Sequence, residues 1–239
     1  MSSLSFTWLG HGTFLFQSPG GKRLLIDPWV TTNPRCPETI KKVGALDLIL
    51  VTHGHADHTS DGVSLARSSG ARLVAPYELA AWFEQKGLQR VTGMNLGGTL
   101  HAFDAHITMV PAMHSSSVVE EGRTVYVGIA AGYVMRFDHG PTVYFAGDTA
   151  IFGDMSLIGA LYQPSIAFLP IGDTYTMGPE QAAKACELLR VQQVVPMHYG
   201  TFPELTGTPS KLRELLEARR VHVLELTPGE TASYDHNVS

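Results

Sequence analysis

Cysteine is nearly absent, with Cys36 and Cys186 the only two in 239 residues. Two isolated thiols build no disulfide framework and fit a reducing cytoplasm. Charge is scarce too: 16% of residues are charged, while 44% are hydrophobic, so a filled core is expected rather than disorder. Positive charge is not in excess. Lys and Arg number 17 against 22 Asp and Glu, a formal net charge of -5, with no Lys/Arg cluster. That argues against a broad nucleic-acid-binding face. No run of about 18 apolar residues occurs, so no membrane-inserted helix is expected. Residues 1–5 have neither the basic nor the apolar region of a signal peptide. No linker-like stretch or long-period repeat appears. One domain over 1–239 is expected, with a polar tail from about Gly229.

What the chain does have is 24 Gly, 14 Pro and 11 His. The glycines and prolines punctuate short β-rich runs at 5–9, 13–17, 23–27, 46–51, 72–75, 107–110, 125–127, 133–137, 142–146, 166–170, 193–197 and 221–226. Leu48 to Val51 is wholly apolar, which fits a strand buried on both faces. Helices are predicted through Arg67 and over 77–86, 179–190 and 209–219, the last two opened by Pro179 and Pro209. Trp82 and Phe83 read as core or interface. Strands come first in groups and later alternate with helices, so sheets covered outside by helices are expected.

The histidines are not scattered. His53, His55, Asp57 and His58 fall within six residues directly after an apolar strand. Imidazole and carboxylate are the usual ligands of zinc and similar divalent metals. Extended backbone puts His53 and His55 on one side, while Asp57 and His58 sit where the chain turns into a helix. Two metals are easier to serve this way than one, with Gly54 and Ala56 leaving space for ions. His114, Asp148 and His198 each follow an apolar strand as well. Alone, His114 or His198 reads as an ordinary buried histidine. Ligands at the ends of several strands can converge on one mouth, and beside the first cluster both become metal candidates.

Thr52-His53-Gly54-His55-Ala56-Asp57-His58, followed by His114, Gly147-Asp148-Thr149 and His198, resembles the signature of the metallo-β-lactamase superfamily. The match runs from about residue 4 to residue 226. Trp8-Leu9-Gly10-His11, His114 to Ser117, Thr176 to Pro179 and Pro196 to Pro203 resemble a narrower branch of small bacterial and archaeal metal-dependent hydrolases. That branch neighbours the L-ascorbate-6-phosphate lactonases and the N-acylphosphatidylethanolamine phospholipases D. The resemblance implies an α+β fold, an αββα four-layer sandwich with a two-metal site at one edge. His53, His55 and His114 would hold the first metal, Asp57, His58 and His198 the second, and Asp148 would bridge them. Zinc is the expected metal, with manganese, iron or nickel compatible with the same donors.

Two such ions about 3.5–4 Å apart share a hydroxide that attacks a carbonyl or phosphoryl centre. The expected activity is hydrolysis of an ester, lactone or phosphoester bond in a small metabolite. Asp57 has a second role open to it, orienting the hydroxide or passing a proton to the leaving group. His11, between two glycines, suits a side chain at the mouth of the site and is the other catalytic candidate, or else a turn histidine. Asp27 either hydrogen-bonds a ligand histidine or shapes a turn. Tyr175, Tyr199 and Ser115 to Ser117 are candidate donors to a substrate oxyanion. Asp173 has no direct metal role, and His101, His106, His139, His222 and His236 read as structural or solvent-facing. A phosphodiesterase or nuclease is the alternative, disfavoured by charge. A flavodiiron-type redox protein would need a flavin partner domain, and a non-catalytic binding protein would not need the full ligand set. A cytoplasmic homo-oligomer is expected, because little charge is spread over many apolar segments.

Overall fold

The structure, a computed structural model, describes residues 3–234, so His236 lies outside it, as do Met1 and Ser2 of the leader reading. Sixteen strands are described: β1 Ser5–Trp8, β2 Phe14–Gln17, β3 Arg23–Ile26, β4 Leu48–Leu50, β5 Arg72–Pro76, β6 Val91–Met94, β7 Thr99–Ala102, β8 Ala105–Pro111, β9 Ser117–Glu120, β10 Arg123–Tyr126, β11 Ala131–Phe137, β12 Thr142–Phe145, β13 Ile166–Pro170, β14 Gln193–Met197, β15 His222–Val223 and β16 Thr231–Ser233. The helices are α1 Ala56–Thr59, α2 Gly62–Ser69, α3 Tyr77–Gln85, α4 Met155–Tyr162, α5 Pro179–Leu189 and α6 Pro209–Leu216. No helix among the described residues is long and apolar enough to cross a membrane.

Two seven-stranded sheets face each other, in the orders β16-β1-β2-β3-β4-β5-β6 and β15-β14-β13-β12-β11-β8-β7, with β9–β10 a separate hairpin. Strand alternation explains the layers. Leu48 and Leu50 point into the core between the sheets, and Ile49 and Val51 point to the outer core under α2 and α3. In the second sheet Ile166 and Phe168 face inward, while Ala167 and Leu169 meet the other helices. Each central strand is therefore apolar on both faces, and the result is the expected αββα sandwich. Phe168 anchors the middle, its ring 5.0 Å from those of Phe6 and Phe14 and 5.1 Å from that of Phe16.

The sheets are also fastened at one end. Asp104, in the β7–β8 turn, accepts hydrogen bonds from Ser18 Oγ at 2.7 Å and Gly20 N at 2.6 Å, both in the β2–β3 turn. Replacing Asp104 by Ala removes a carboxylate that two donors from the opposite sheet share. A loss of about 1–2 kcal/mol is expected, read as a lower urea midpoint with an unchanged slope.

Several elements differ from expectation. β6, β7 and β9 are additional strands, and α4 is an additional helix. Gly159 makes Met155–Tyr162 look like a poor helix, yet a Cβ there would lie 2.7 Å from the carbonyl oxygens of Leu188 and Leu189. That glycine is what lets α4 pack against the end of α5. The closing strand shrinks to His222–Val223, and Thr231–Ser233 of the expected tail pairs antiparallel with β1. Phe83 is fully buried under the first sheet, so it is core. Trp82 instead donates from Nε1 to Glu120 Oε1 at 2.6 Å and pins the β9–β10 hairpin to α3.

Candidate metal centre

All the candidates lie just past strand ends on one edge of the sandwich. His11 follows β1, Asp27 β3, the 53–58 segment β4, His114 β8, Asp148 β12 and His198 β14. Three of them turn the chain through the left-handed region, with φ of 57° at His11, 52° at Asp27 and 56° at His198. Such backbone costs about 1–3 kcal/mol per residue and persists where packing enforces it. The packing is tight. A Cβ at Gly12 would lie 2.8 Å from His58 Cε1. Gly54, expected to leave room for ions, instead makes room for Val127 and the Ser117 carbonyl, which a Cβ would meet at 2.5 and 2.9 Å.

Two clusters of potential metal donors converge. In the first, His55 Nδ1 lies 3.0 Å from His53 Nε2 and 3.3 Å from His114 Nε2. The second groups Asp57, His58 and His198 with His11. Asp57 Oδ2 lies 3.8 Å from His58 Nε2 and 3.9 Å from His198 Nε2. Asp148 Oδ2 stands between the clusters, 3.0 Å from His198 Nε2, 3.4 Å from His58 Nε2, 3.7 Å from His114 Nε2 and 3.9 Å from His53 Nε2.

The supporting hydrogen bonds fix which ring nitrogen faces inward. Buried Asp27 accepts from Thr52 N and Thr52 Oγ1, each at 2.8 Å, and lies 2.8 Å from His58 Nδ1. A carboxylate only accepts, so His58 Nδ1 carries a proton and a neutral His58 offers its Nε2 lone pair. Thr52 has one hydroxyl proton, given to Asp27, so at 2.9 Å it accepts from His53 Nδ1 and frees His53 Nε2 in the same way. Asp27 thus orients the His58 ring directly and the His53 ring through Thr52. Thr52 joins it unforeseen, and its place directly before His53 was the available signal.

Electrostatics follow the same design. Burial opposes charge on His58, but Asp148, Asp27 and Asp57 outweigh it and hold its pKa well above the ordinary value. Burial would raise Asp148 and Asp57. His198 and His58 hold Asp148 well below the carboxylate range, and His58 with the His11 hydrogen bond lowers Asp57. The buried Asp27 carboxyl is shifted up, with His58 and Thr52 pulling against burial. Burial lowers His53 strongly, helped by His58, and takes His11 down to about 4, helped by His198. The centre is a ring of imidazoles around carboxylates, buried at His53, His58, Asp148 and His198 and partly exposed at His55, Asp57 and His114.

The residues present fit metal ions. His58 Nε2, both ring nitrogens of His198 and Asp148 Oδ1 are buried without a hydrogen-bond partner. Orphans of this kind are costly unless a ligand satisfies them. Nitrogen against nitrogen in the first cluster suits lone pairs on a common cation better than a hydrogen-bond network. The two clusters, one of histidines alone and one of histidines with Asp57, together suit a binuclear metal site and open to a cleft of about 460 Å³ whose walls include Ser115, Thr174, Tyr175 and Phe202.

Other candidates fall elsewhere. The sequence places His11 at the mouth, but the structure buries it completely among Trp29, His198 and Phe202. Its Nε2 lies 2.9 Å from Asp57 Oδ2 and its Nδ1 2.9 Å from Thr201 Oγ1. Tyr199 packs on Trp8 instead of lining the cleft, and Ser116 Oγ accepts from Gly54 N. Tyr175 and Ser115 do line it. Asp173 bonds within its own loop, His101 meets His106 edge-on across the β7–β8 hairpin, and His106 lies 3.3 Å from Asp138. Thr174 lies outside every motif read from the sequence, and Thr201 and Phe202 entered only as part of Pro196 to Pro203, with no role assigned.

Residues 22–199 match the family model described as a beta-lactamase superfamily domain. A UPF0173 metal-dependent hydrolase of Koribacter versatilis is 50% identical over 233 residues, covering 98% of this chain and 99% of its own. One from Methanopyrus kandleri is 44% identical over 230 residues, covering 95% and 99%. Among solved structures, Igni18, a metallo hydrolase of the hyperthermophilic archaeon Ignicoccus hospitalis, superposes with a TM-score of 0.88 at 36% identity, over 99% of this chain and 100% of that one.

Proposed function

Because the chain belongs to the β-lactamase superfamily, we propose that it is a metal-dependent hydrolase that cleaves an ester, lactone or phosphoester bond in a small molecule. The observation that carries this is Asp148 Oδ2, set within 3.9 Å of imidazole nitrogens from both clusters. His53, His55 and His114 would hold one ion, Asp57, His58 and His198 the other, with Asp148 shared. Zinc suits these donors best. When bound, the pair supplies Lewis acidity and an activated water.

The chain's own residues do the rest. Asp27 and Thr52 keep the His53 and His58 lone pairs aimed inward. Asp57 faces the cleft and is the chain's proton carrier there, taking a proton from the attacking water and returning it to the leaving oxygen. His11 reaches the chemistry only through Asp57. Its Nε2 must carry a proton to meet that carboxylate, so it is a donor rather than a ligand. His11→Gln keeps an N–H near that position and is expected to keep metal affinity close to wild type. His11→Leu should lose about 10–100-fold, measured by competition with a chromophoric chelator. Equal losses in both variants would return His11 to the ligand set.

Elemental analysis of chelator-free protein should approach about two equivalents. Turnover should then appear on a panel of lactones, phosphodiesters, thioesters and acyl amides. Metal near zero with no uptake on addition would refute the site, and loaded protein inert on the whole panel would refute the activity. Phosphodiester turnover alone would favour a phosphodiesterase or nuclease, against which the net charge of -5 stands. A cytoplasmic setting belongs to the proposal, supported by two buried free cysteines. So does a homo-oligomer, supported by Val119 and Tyr126, 74% and 71% exposed on the hairpin. Light scattering near the 25.9 kDa chain mass would remove the oligomer.

A further inference from the structure

The floor of the cleft is the metal centre, and its outer wall is built from two loops locked together. Thr174 Oγ1 donates to Glu204 O at 3.0 Å, and Gly207 N donates to Gly172 O at 3.2 Å. Asp173 and Thr174 are both left-handed, with φ of 68° and 52°. Two adjacent non-glycine residues in that region are held there by their surroundings. Asp173 does this locally, accepting from Thr174 N on its side chain and from Thr176 N on its carbonyl. The effect is to display Tyr175, 53% exposed, on the cleft wall. Phe202 comes from the partner loop. It is 37% exposed, stacked on Trp29 at 6.1 Å and edge-on to His11 at 5.6 Å, so its ring is braced from behind.

The wall is aromatic and hydroxylic, and it holds no cation. Among the described residues lining the cleft there is no lysine or arginine. Apart from the metal centre it offers only Ser115, Thr174, Tyr175 and Phe202. An anionic group taken from water needs a charged partner or several converging donors. Metals on the floor can meet an anion at the reacting centre, but a second anion farther out would find only rim hydroxyls. The overall charge of -5 adds no attraction. A flat apolar group, by contrast, gains from offset or edge contacts with two aromatic rings.

We propose that the substrate is a small ester or lactone, uncharged away from the bond that is cleaved, with a flat apolar or aromatic group that packs on the Tyr175–Phe202 wall. This rests on the hydrolase reading above. It narrows that reading away from metabolites whose phosphate or carboxylate lies remote from the scissile bond. Attack of water on the ester carbonyl breaks the acyl–oxygen bond. The hydroxyl joins the acyl group to give the acid, and the other proton leaves on the alcohol, with no redox partner needed.

The test compares phenyl acetate with 4-acetoxybenzoate on metal-loaded protein, each kcat/KM divided by that ester's rate in dilute hydroxide to remove leaving-group differences. The neutral ester should be favoured by about tenfold or more. Phe202→Ala should raise KM for phenyl acetate several-fold more than it raises KM for ethyl acetate, a split that general loosening of the site would not give. Tyr175→Arg, at an exposed loop position, should shift the preference toward the anionic ester. Equal or better turnover of 4-acetoxybenzoate by the wild-type protein would overturn the substrate class while leaving the hydrolase intact. Equal damage to both neutral esters in Phe202→Ala would overturn the wall. Loaded protein that hydrolyses none of the panel compounds would overturn the hydrolase reading, and this inference with it.

Discussion

Asp148→Ala is expected to abolish two-metal loading and to lower turnover by about 10⁴-fold, some 5.5 kcal/mol of transition-state stabilisation. One oxygen of Asp148 lies 3.0 and 3.4 Å from the Nε2 atoms of His198 and His58, and 3.7 and 3.9 Å from those of His114 and His53. Removing that oxygen weakens both clusters together. His114→Ala touches the first cluster alone and should lose one equivalent, partly restored by excess metal. Asp148→Asn separates charge from shape: it keeps an oxygen but not the negative charge that holds His58 above its ordinary pKa. It should fall between the other two in metal affinity. The measurement is metal content after dialysis at fixed free zinc, with circular dichroism to confirm folding. Two equivalents held by Asp148→Ala at wild-type affinity would show that the carboxylate does not join the clusters.

The contrast between these variants also shows what a sequence can reveal. His53, His55, Asp57 and His58 are legible because their ligand spacing is local, and the apolar strand before them says where they sit. His114, Asp148 and His198 are legible by topology, since each follows a strand of the same sheet. The two-sheet core is legible in Leu48 to Val51, whose alternate residues serve two different cores. Thr201 is different. It meets His11 across 190 residues, and nothing in Gly200-Thr201-Phe202 marks that contact. Phe202 likewise becomes a cleft wall only because Trp29 stacks behind it. β9 escaped for another reason. Only Val118 of Ser117–Glu120 is buried, so no repeated buried face imposes an alternation to read. α4 was hidden by Gly159, which reads as a breaker until the backbone of α5 is seen against it.

Asp57→Asn is expected to keep both metals and the fold while lowering turnover by roughly 10²–10⁴-fold, the range for losing a positioned acid/base group. The metals stay because an amide still offers one oxygen. How that oxygen is aimed depends on His11. In the wild type, His11 Nε2 carries a proton and donates to Asp57 Oδ2 at 2.9 Å. The same Oδ2 lies 3.8 Å from His58 Nε2 and 3.9 Å from His198 Nε2, and an amide oxygen has two lone pairs. An asparagine that puts its oxygen there keeps the His11 bond and still faces the second cluster, with no change of tautomer. Thr201 Oγ1, 2.9 Å from His11 Nδ1, donates to that nitrogen and holds the tautomer. Asp57→Asn should therefore retain about two equivalents. Long-range ¹H–¹⁵N spectra of the zinc-loaded wild type and variant should show His11 protonated at Nε2 in both. Turnover still falls, since no amide takes up the proton that the carboxylate carries. An Asp57→Asn protein with wild-type turnover and wild-type metal content would limit Asp57 to holding metal, and His11 and Thr201 to holding Asp57 in place.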